Sequence, residues 1–247
     1  TCVDCYSTNE AADGPKEFAV KCEATGFSAK QQCKKIICGA CQHDAAANPH
    51  ALPATMDVLR RYEDACSYQC TTGYTLDQSA SGPASFETKC LASGSFSGQK
   101  TCLPVSCPAP SAVTHASLVG SAGSSGIDFP EAAKYECDQG YTLTGDANGK
   151  TQFERQCQPD GQYSPAKQCK PVSCGKPQEV QHATHDPKEL FYKETVNFTC
   201  KSGYTLSGVA GTENQATMTC GADGSFQGPQ PTCLPVQCGE PPAEPDA

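Results

Sequence analysis

Cys102-Leu103-Pro104-Val105-Ser106-Cys107 is one of four segments in which a cysteine is followed five positions later by another. The others run from Cys33 to Cys38 (CKKIIC), Cys169 to Cys174 (CKPVSC) and Cys233 to Cys238 (CLPVQC). The second cysteines of these segments, Cys38, Cys107, Cys174 and Cys238, recur at a nearly constant interval. A period of that size means that each repeat closes its own small core, so the chain reads as a tandem array joined at the quoted segments.

Composition agrees with small, stapled units. There are 19 cysteines in 247 residues, near the level of a disulfide scaffold. Thiols at that density persist as disulfides in an oxidising compartment, which predicts an extracellular protein. The stretches between joints, 38–102, 107–169 and 174–233, are each too short to bury a comfortable core. A bridge closing a loop of several tens of residues adds about 4 kcal/mol in the chain-entropy model, so two per unit make up the deficit.

The net charge is −9, and the longest basic tracts are the pairs Lys34-Lys35 and Arg60-Arg61. That balance argues against nucleic acid and anionic membrane surfaces as partners. No apolar run approaches the length of a membrane-spanning helix, so no membrane insertion is expected in this segment. The N-terminal stretch carries no signal-peptide core, as expected of a chain that begins in mid-array.

Aligned on one cysteine, three repeats read SYQCTTGYTL ending at Leu76, KYECDQGYTL ending at Leu143 and NFTCKSGYTL ending at Leu206. From the aligned Cys70, Cys137 and Cys200 the next cysteine comes at one constant offset, as Cys90, Cys157 and Cys220. Another follows at Cys102, Cys169 and Cys233, an offset that varies by a single position. Tyr68, Tyr135 and Phe198 lie two positions before a cysteine, on the same face of an extended strand. The glycine before each tyrosine suits a bulge or a positive-φ kink. Ser93-Gly94, Asp160-Gly161 and Asp223-Gly224 read as hairpin turns. The fold class is therefore all-β, as small disulfide-rich modules in tandem on a semi-rigid string.

This set of features resembles the sushi (complement control protein) module: four cysteines, a Gly-Tyr after the second, a Gly-x-aromatic before the fourth and a four-residue joint. The resemblance covers nearly the whole chain. It implies that the first cysteine pairs with the third and the second with the fourth: Cys38 with Cys90, Cys70 with Cys102, Cys107 with Cys157, Cys137 with Cys169, Cys174 with Cys220, and Cys200 with Cys233. The family usually has a tryptophan before the fourth cysteine, and here the slot holds Phe27, Phe96, Tyr163 and Phe226, which plug the core end with less buried area. Whole modules are expected over residues 38–102, 107–169 and 174–233.

Residues 1–33 read as the C-terminal part of a truncated module, with Cys5, Cys22 and Cys33 in second, third and fourth place and a Cys5–Cys33 bridge. Cys5 lacks the Gly-Tyr that should follow it. Residues 238–247 begin another: Cys238-Gly239-Glu240-Pro241-Pro242 matches Cys174-Gly175-Lys176-Pro177. The odd cysteine count then follows from truncation. Pro104, Pro171 and Pro235 stiffen three joints, and Lys35 at the same place predicts a more pliant first joint.

Cys41 and Cys66 are extra to the pattern and flank an apparent insertion, PATMDVLRRY from Pro53 to Tyr62. Cys2, three positions before Cys5, looks like a second copy of the Cys66 role. The insertion reads either as a protruding loop pinned by Cys41 and Cys66, with Val58, Leu59, Arg60 and Tyr62 as partner contacts, or as a spacer stapled for stability. Zinc on Cys38, Cys41, Cys66 and Cys70 is the rival to disulfides, but it would strand Cys90 and Cys102. His182 and His185 with Asp186 could ligate a metal or simply belong to a solvated loop; His43, His50 and His115 stand alone. Asn197-Phe198-Thr199 is the one glycosylation acceptor motif, with Phe198 inward and Asn197 outward.

No Gly-x-Ser-x-Gly, His-Glu-x-x-His or phosphate-binding glycine loop occurs, so neither catalysis nor a cofactor is expected. The expected function is non-covalent protein–protein contact by an extracellular modular protein, secreted or in a cell-surface ectodomain. It would be a structural subunit of an extracellular or cell-surface assembly, with copies of itself or other subunits as partners. The alternative is the ligand-binding region of a receptor, adhesin or complement-type regulator.

Overall fold

The computed structural model describes residues 1–120 and 126–239. Glu240-Pro241-Pro242 of the expected fresh start lies outside them. Every regular element among the described residues is a β-strand of two to six residues.

Two compact units are distinguished. The first comprises Thr1–Pro110, Ser124–Ala132 and Gln156–Ser164; the second comprises Ser111–Gly123, Ala133–Arg155 and Pro165–Ala247. The four cysteine-flanked joints fall two in each unit.

In the first unit, Phe96–Ser97, Ser85–Cys90, Ala65–Cys70 and Ala51–Pro53 form an antiparallel sheet in that order. Alternation buries one face: Cys66, Tyr68 and Cys70 on one strand, Phe86, Thr88 and Cys90 on the next. Tyr68 and Phe86 pair across the strands and stack at 5.0 Å, with Ala51, Cys41 and Cys102 completing the core. In the second unit the same order recurs as Ala183–Thr184, Thr195–Cys200, Gln215–Cys220 and Phe226–Gln227. There Phe198 faces Ala216 in place of an aromatic, and the His185 ring, just past the edge strand Ala183–Thr184, meets Phe198 at 4.7 Å, tilted by 39°. A three-stranded sheet orders Ala116–Val119, Ala132–Cys137 and Gln152–Gln156, with Tyr135 stacked on Phe153 at 5.2 Å.

Eight disulfides staple these cores. Cys38–Cys90, Cys107–Cys157 and Cys174–Cys220 close one end of each sheet, and Cys70–Cys102, Cys137–Cys169 and Cys200–Cys233 the other. Cys41–Cys66 and Cys2–Cys33 complete the set. Cys38, Cys41, Cys66 and Cys70 are thus all spent in bridges, which leaves no thiolates for the zinc arrangement.

The Cys5–Cys33 bridge is not formed: Cys33 takes Cys2, and Cys5 is a free thiol. Cys2 is the second cysteine of its segment. Cys22 follows it at the offset that separates Cys70 from Cys90, and its bridge to Cys33 spans a sequence separation of 31, against 32 for Cys70–Cys102. Cys5 therefore stands where Gly73, Gly140 and Gly203 stand, three positions after that cysteine and before a tyrosine. It adopts their backbone, with φ 71° against 84°, 82° and 85°. Cys2 does not repeat the role of Cys66.

The apparent insertion is not a protruding loop. Ala51–Pro53 is an ordinary edge strand on Ala65–Cys70, and Leu59–Arg61 pairs with Ile37–Ala40. Ser106–Cys107 pairs with Ile127–Asp128 and Ser173–Gly175 with Leu190–Phe191 in the same way. Cys66 occupies the buried position of Ala133 and Val196, four positions before the second cysteine, so the extra bridge is a core staple. Phe27 differs from its three counterparts. It is 79% exposed, on a two-residue strand paired only with Cys22–Glu23, whereas Phe96, Tyr163 and Phe226 are half-buried.

Candidate protein-contact surfaces and the joints that position them

Each joint is a fixed piece of structure. Its central residue is Ile36, Val105 or Val172, each 1% exposed. The amide of that residue donates to the carbonyl of the Gly-Tyr slot: Ile36 to Cys5 at 3.2 Å, Val105 to Gly73 and Val172 to Gly140 at 2.9 Å. Its own carbonyl accepts an amide from an aromatic residue beyond the joint, Tyr62, Phe129 or Tyr192, each at 2.8 Å. A third bond runs from the next residue to the loop after the slot: Ile37 to Glu10, Ser106 to Gln78 and Ser173 to Gly145. The buried backbone groups of the joint are thereby satisfied, as a fixed connection requires.

Side chains close the gap. The Phe129 ring meets Tyr74 edge-to-face at 5.9 Å and lies over Gly73; Tyr192 meets Tyr141 at 5.9 Å and lies over Gly140. A Cβ on Gly73 would fall 2.4 Å from the Phe129 ring, and one on Gly140 2.2 Å from that of Tyr192, so glycine is required there by space as well as by its positive φ. On the opposite side the hairpin glycines rest on alanines: Gly94 on Ala12, Gly161 on Ala80 and Gly224 on Ala147. Pro104 and Pro171 pair with Tyr74 and Tyr141, and Lys35 pairs with Tyr6 in the same register. The first joint therefore shares the strand register of the others. It adds two exposed ion pairs, Arg61–Glu10 at 3.3 Å and Lys35–Glu63 at 3.6 Å. At the fourth joint the Val236 amide donates to Gly203 and the Gln237 amide to Gly208, both at 2.9 Å.

Two of the three solitary histidines, His50 and His115, share a place with His182, whereas His43 bonds through Nε2 to the Pro49 carbonyl. His50, His115 and His182 stack on Tyr74, Tyr141 and Tyr204 at 3.5, 4.0 and 4.1 Å, nearly parallel. His182 and His185 are thus occupied by different rings, Tyr204 and Phe198. Among the described residues no cluster of His, Cys, Asp and Glu is arranged to hold a metal.

The four expected contact residues separate. Tyr62 belongs to the joint through its backbone amide, which donates to the Ile36 carbonyl. The neighbouring side chain of Cys5 first, and then the charge of Glu63, push its ionisation above the ordinary tyrosine value. Arg60 fills the slot held by buried Ile127 and Leu190; its Nε donates to Cys41 Sγ at 3.4 Å and its Nη2 to Thr55. Val58 and Leu59 remain outward, and with Met56 they make an apolar run 49–57% exposed.

One further surface follows from a missing hydroxyl. Tyr68 and Tyr135 donate to the carbonyls of Gln42 and Ser111 at 3.1 and 2.8 Å, pinning the chain after the first cysteine. Phe198 cannot do so, and a shallow cleft lined by Pro177, Val180, Phe198, Met218 and Phe226 opens beside it. Among the described residues no helix is long and apolar enough to cross a membrane.

The family model of the sushi repeat (SCR repeat) matches residues 107–169 and 174–233. The mouse sushi, von Willebrand factor type A, EGF and pentraxin domain-containing protein 1 is 34% identical over 177 residues, 71% of this chain and 4% of that protein. Rat E-selectin is 27% identical over 248 residues, covering 96% of this chain and 41% of its own length, and mouse P-selectin is 28% identical over 238 residues. The chain thus spans less than half the length of each of these relatives. Repeats, disulfides and relatives together place it outside the cell or on its surface, as a module of protein–protein interaction. Carrying two matched repeats and the same cysteine framework beyond them, the chain belongs to the sushi-repeat family as a tandem array of disulfide-stapled all-β modules.

Proposed function

We propose that this array is a structural subunit of an extracellular or cell-surface assembly, holding contact faces at set positions. Residues 38–102 form a third module beside the two matched repeats, and residues 1–33 repeat the second half of the pattern. The observation that carries the reading is the joint: three backbone hydrogen bonds and a glycine on an alanine recur at three of them, and an aromatic ring lies over the slot glycine at two. Flexible display of independent binding modules needs none of these. Copies of the chain, or other subunits, are the partners, joined by several weak contacts acting together.

Electron microscopy with light scattering, on protein purified from its source without reduction, tests this. A lattice or filament of fixed repeat is expected, with more than about 1,000 Å² buried per neighbour. A monodisperse single chain with sparse lateral contacts would overturn it.

A second reading is favoured by the exposed Met56, Val58 and Leu59: the ligand-binding region of a receptor, adhesin or complement-type regulator. Deleting residues 45–62 cannot test it, because that removes two strands and a joint aromatic. Val58→Asp with Leu59→Asp leaves those intact and should abolish partner capture if this run is the contact.

A further inference from the structure

We propose that Asn197 carries an N-linked glycan, and that the outer face of its sheet is a sugar-covered surface and not a protein-contact face. Asn197-Phe198-Thr199 lies on the strand Thr195–Cys200, with Phe198 buried and Asn197 on the solvent side. The Asn197 Oδ1 accepts the Thr217 hydroxyl at 2.7 Å, across the strand pair that sets the two residues opposite each other. The Nδ2 amide has no protein partner among the described residues.

The surroundings differ from the same place elsewhere. The position three before the second cysteine is Ser67 or Lys134, each facing a carboxylate: Ser67 donates to Glu87 at 3.0 Å, and Lys134 pairs with Glu154 at 3.8 Å. Here Asn197 faces Thr217, and its neighbours on this side, Thr195, Thr199, Gln215 and Thr219, are also uncharged. A face of short hydroxyls and amides in a chain of net charge −9 matches the hydrogen-bonding chemistry of a sugar. The motif stands on the path of a disulfide-bonded extracellular protein, where the donor sugar is met.

In the reaction, Asn197 Nδ2 forms a bond to the anomeric carbon of a polyprenyl-pyrophosphate-linked oligosaccharide. The sugar–pyrophosphate bond breaks, polyprenyl pyrophosphate leaves, and the amide gives up one proton. Thr199 supplies the hydroxyl that the acceptor motif demands.

The test uses the full chain from its native source, or secreted by a eukaryotic host, digested without reduction. Peptide N-glycosidase in heavy-oxygen water should convert position 197 to a labelled aspartate and collapse a glycan-mass shift on that peptide. Asn197→Gln, which keeps an amide for Thr217, and Thr199→Ala should each abolish the shift, with the eight disulfides mapped to show that the variants are folded. Unmodified Asn197 as the sole form in folded wild-type protein overturns the proposal, as does a shift that survives Asn197→Gln.

Discussion

Cys5 shows how one residue changes a joint without changing its backbone. A glycine there would only yield space; the Cys5 side chain instead, together with Glu63, holds the ionisation of the folded Tyr62 phenol above its ordinary value. A raised folded pKa favours the neutral form, so its contribution to stability is whole below the unfolded pKa, near pH 10. It is lost as pH rises through the folded value. Cys5→Gly should bring the Tyr62 titration down toward the ordinary tyrosine value, with the contribution of Glu63 remaining, followed by NMR of the ring; an identical curve in both proteins would refute the coupling. Thr88 is the converse case, a buried hydroxyl without a hydrogen-bond partner among the described residues, facing Cys66 across the strand pair. Thr88→Val keeps the shape and removes the desolvation cost, so stability should rise by about 1 kcal/mol. A chemical denaturation midpoint, measured with the disulfides intact, decides it.

At the scale of elements, the Cys41–Cys66 bridge ties the chain after the first cysteine to the central strand. Pro177 and Val196 hold the corresponding places without a bond. The bridge closes a sequence separation of 25, worth about 3.5 kcal/mol in the chain-entropy model. Cys41→Ala with Cys66→Ala should cost about that much by denaturation, and Cys41→Pro with Cys66→Val should recover part through packing. Gly73 presents a different constraint. Gly73→Ala costs about 1–2 kcal/mol for the left-handed backbone alone, and more because its Cβ meets the Phe129 ring. Combining it with Phe129→Ala removes the clash and leaves only the backbone penalty. A double-mutant cycle should therefore show coupling, and strict additivity would mean that the ring does not pack on Gly73.

For the whole molecule, the repeat period made the all-β modular fold legible, because cysteine spacing and the Gly-Tyr turn leave little freedom. The joints were legible only in part. Tyr62, Phe129 and Tyr192 all lie eight positions before the second cysteine, and Ala12, Ala80 and Ala147 ten after it, yet neither series carries a motif that announces docking. The stacked histidines His50, His115 and His182 each lie at a different distance before that cysteine, so no fixed offset reveals them. Cys5 misled because a cysteine in a disulfide-rich chain reads as a bridge partner, whereas the turn needed its backbone. If the joints are parts of the modules they connect, their amides share module stability. Hydrogen exchange of the native chain should then find Val105, Ser106, Phe129, Val172, Ser173 and Tyr192 as protected as the strands beside them. Exchange at the rate of an exposed linker would make each joint a hinge, and would remove the observation on which the structural role rests.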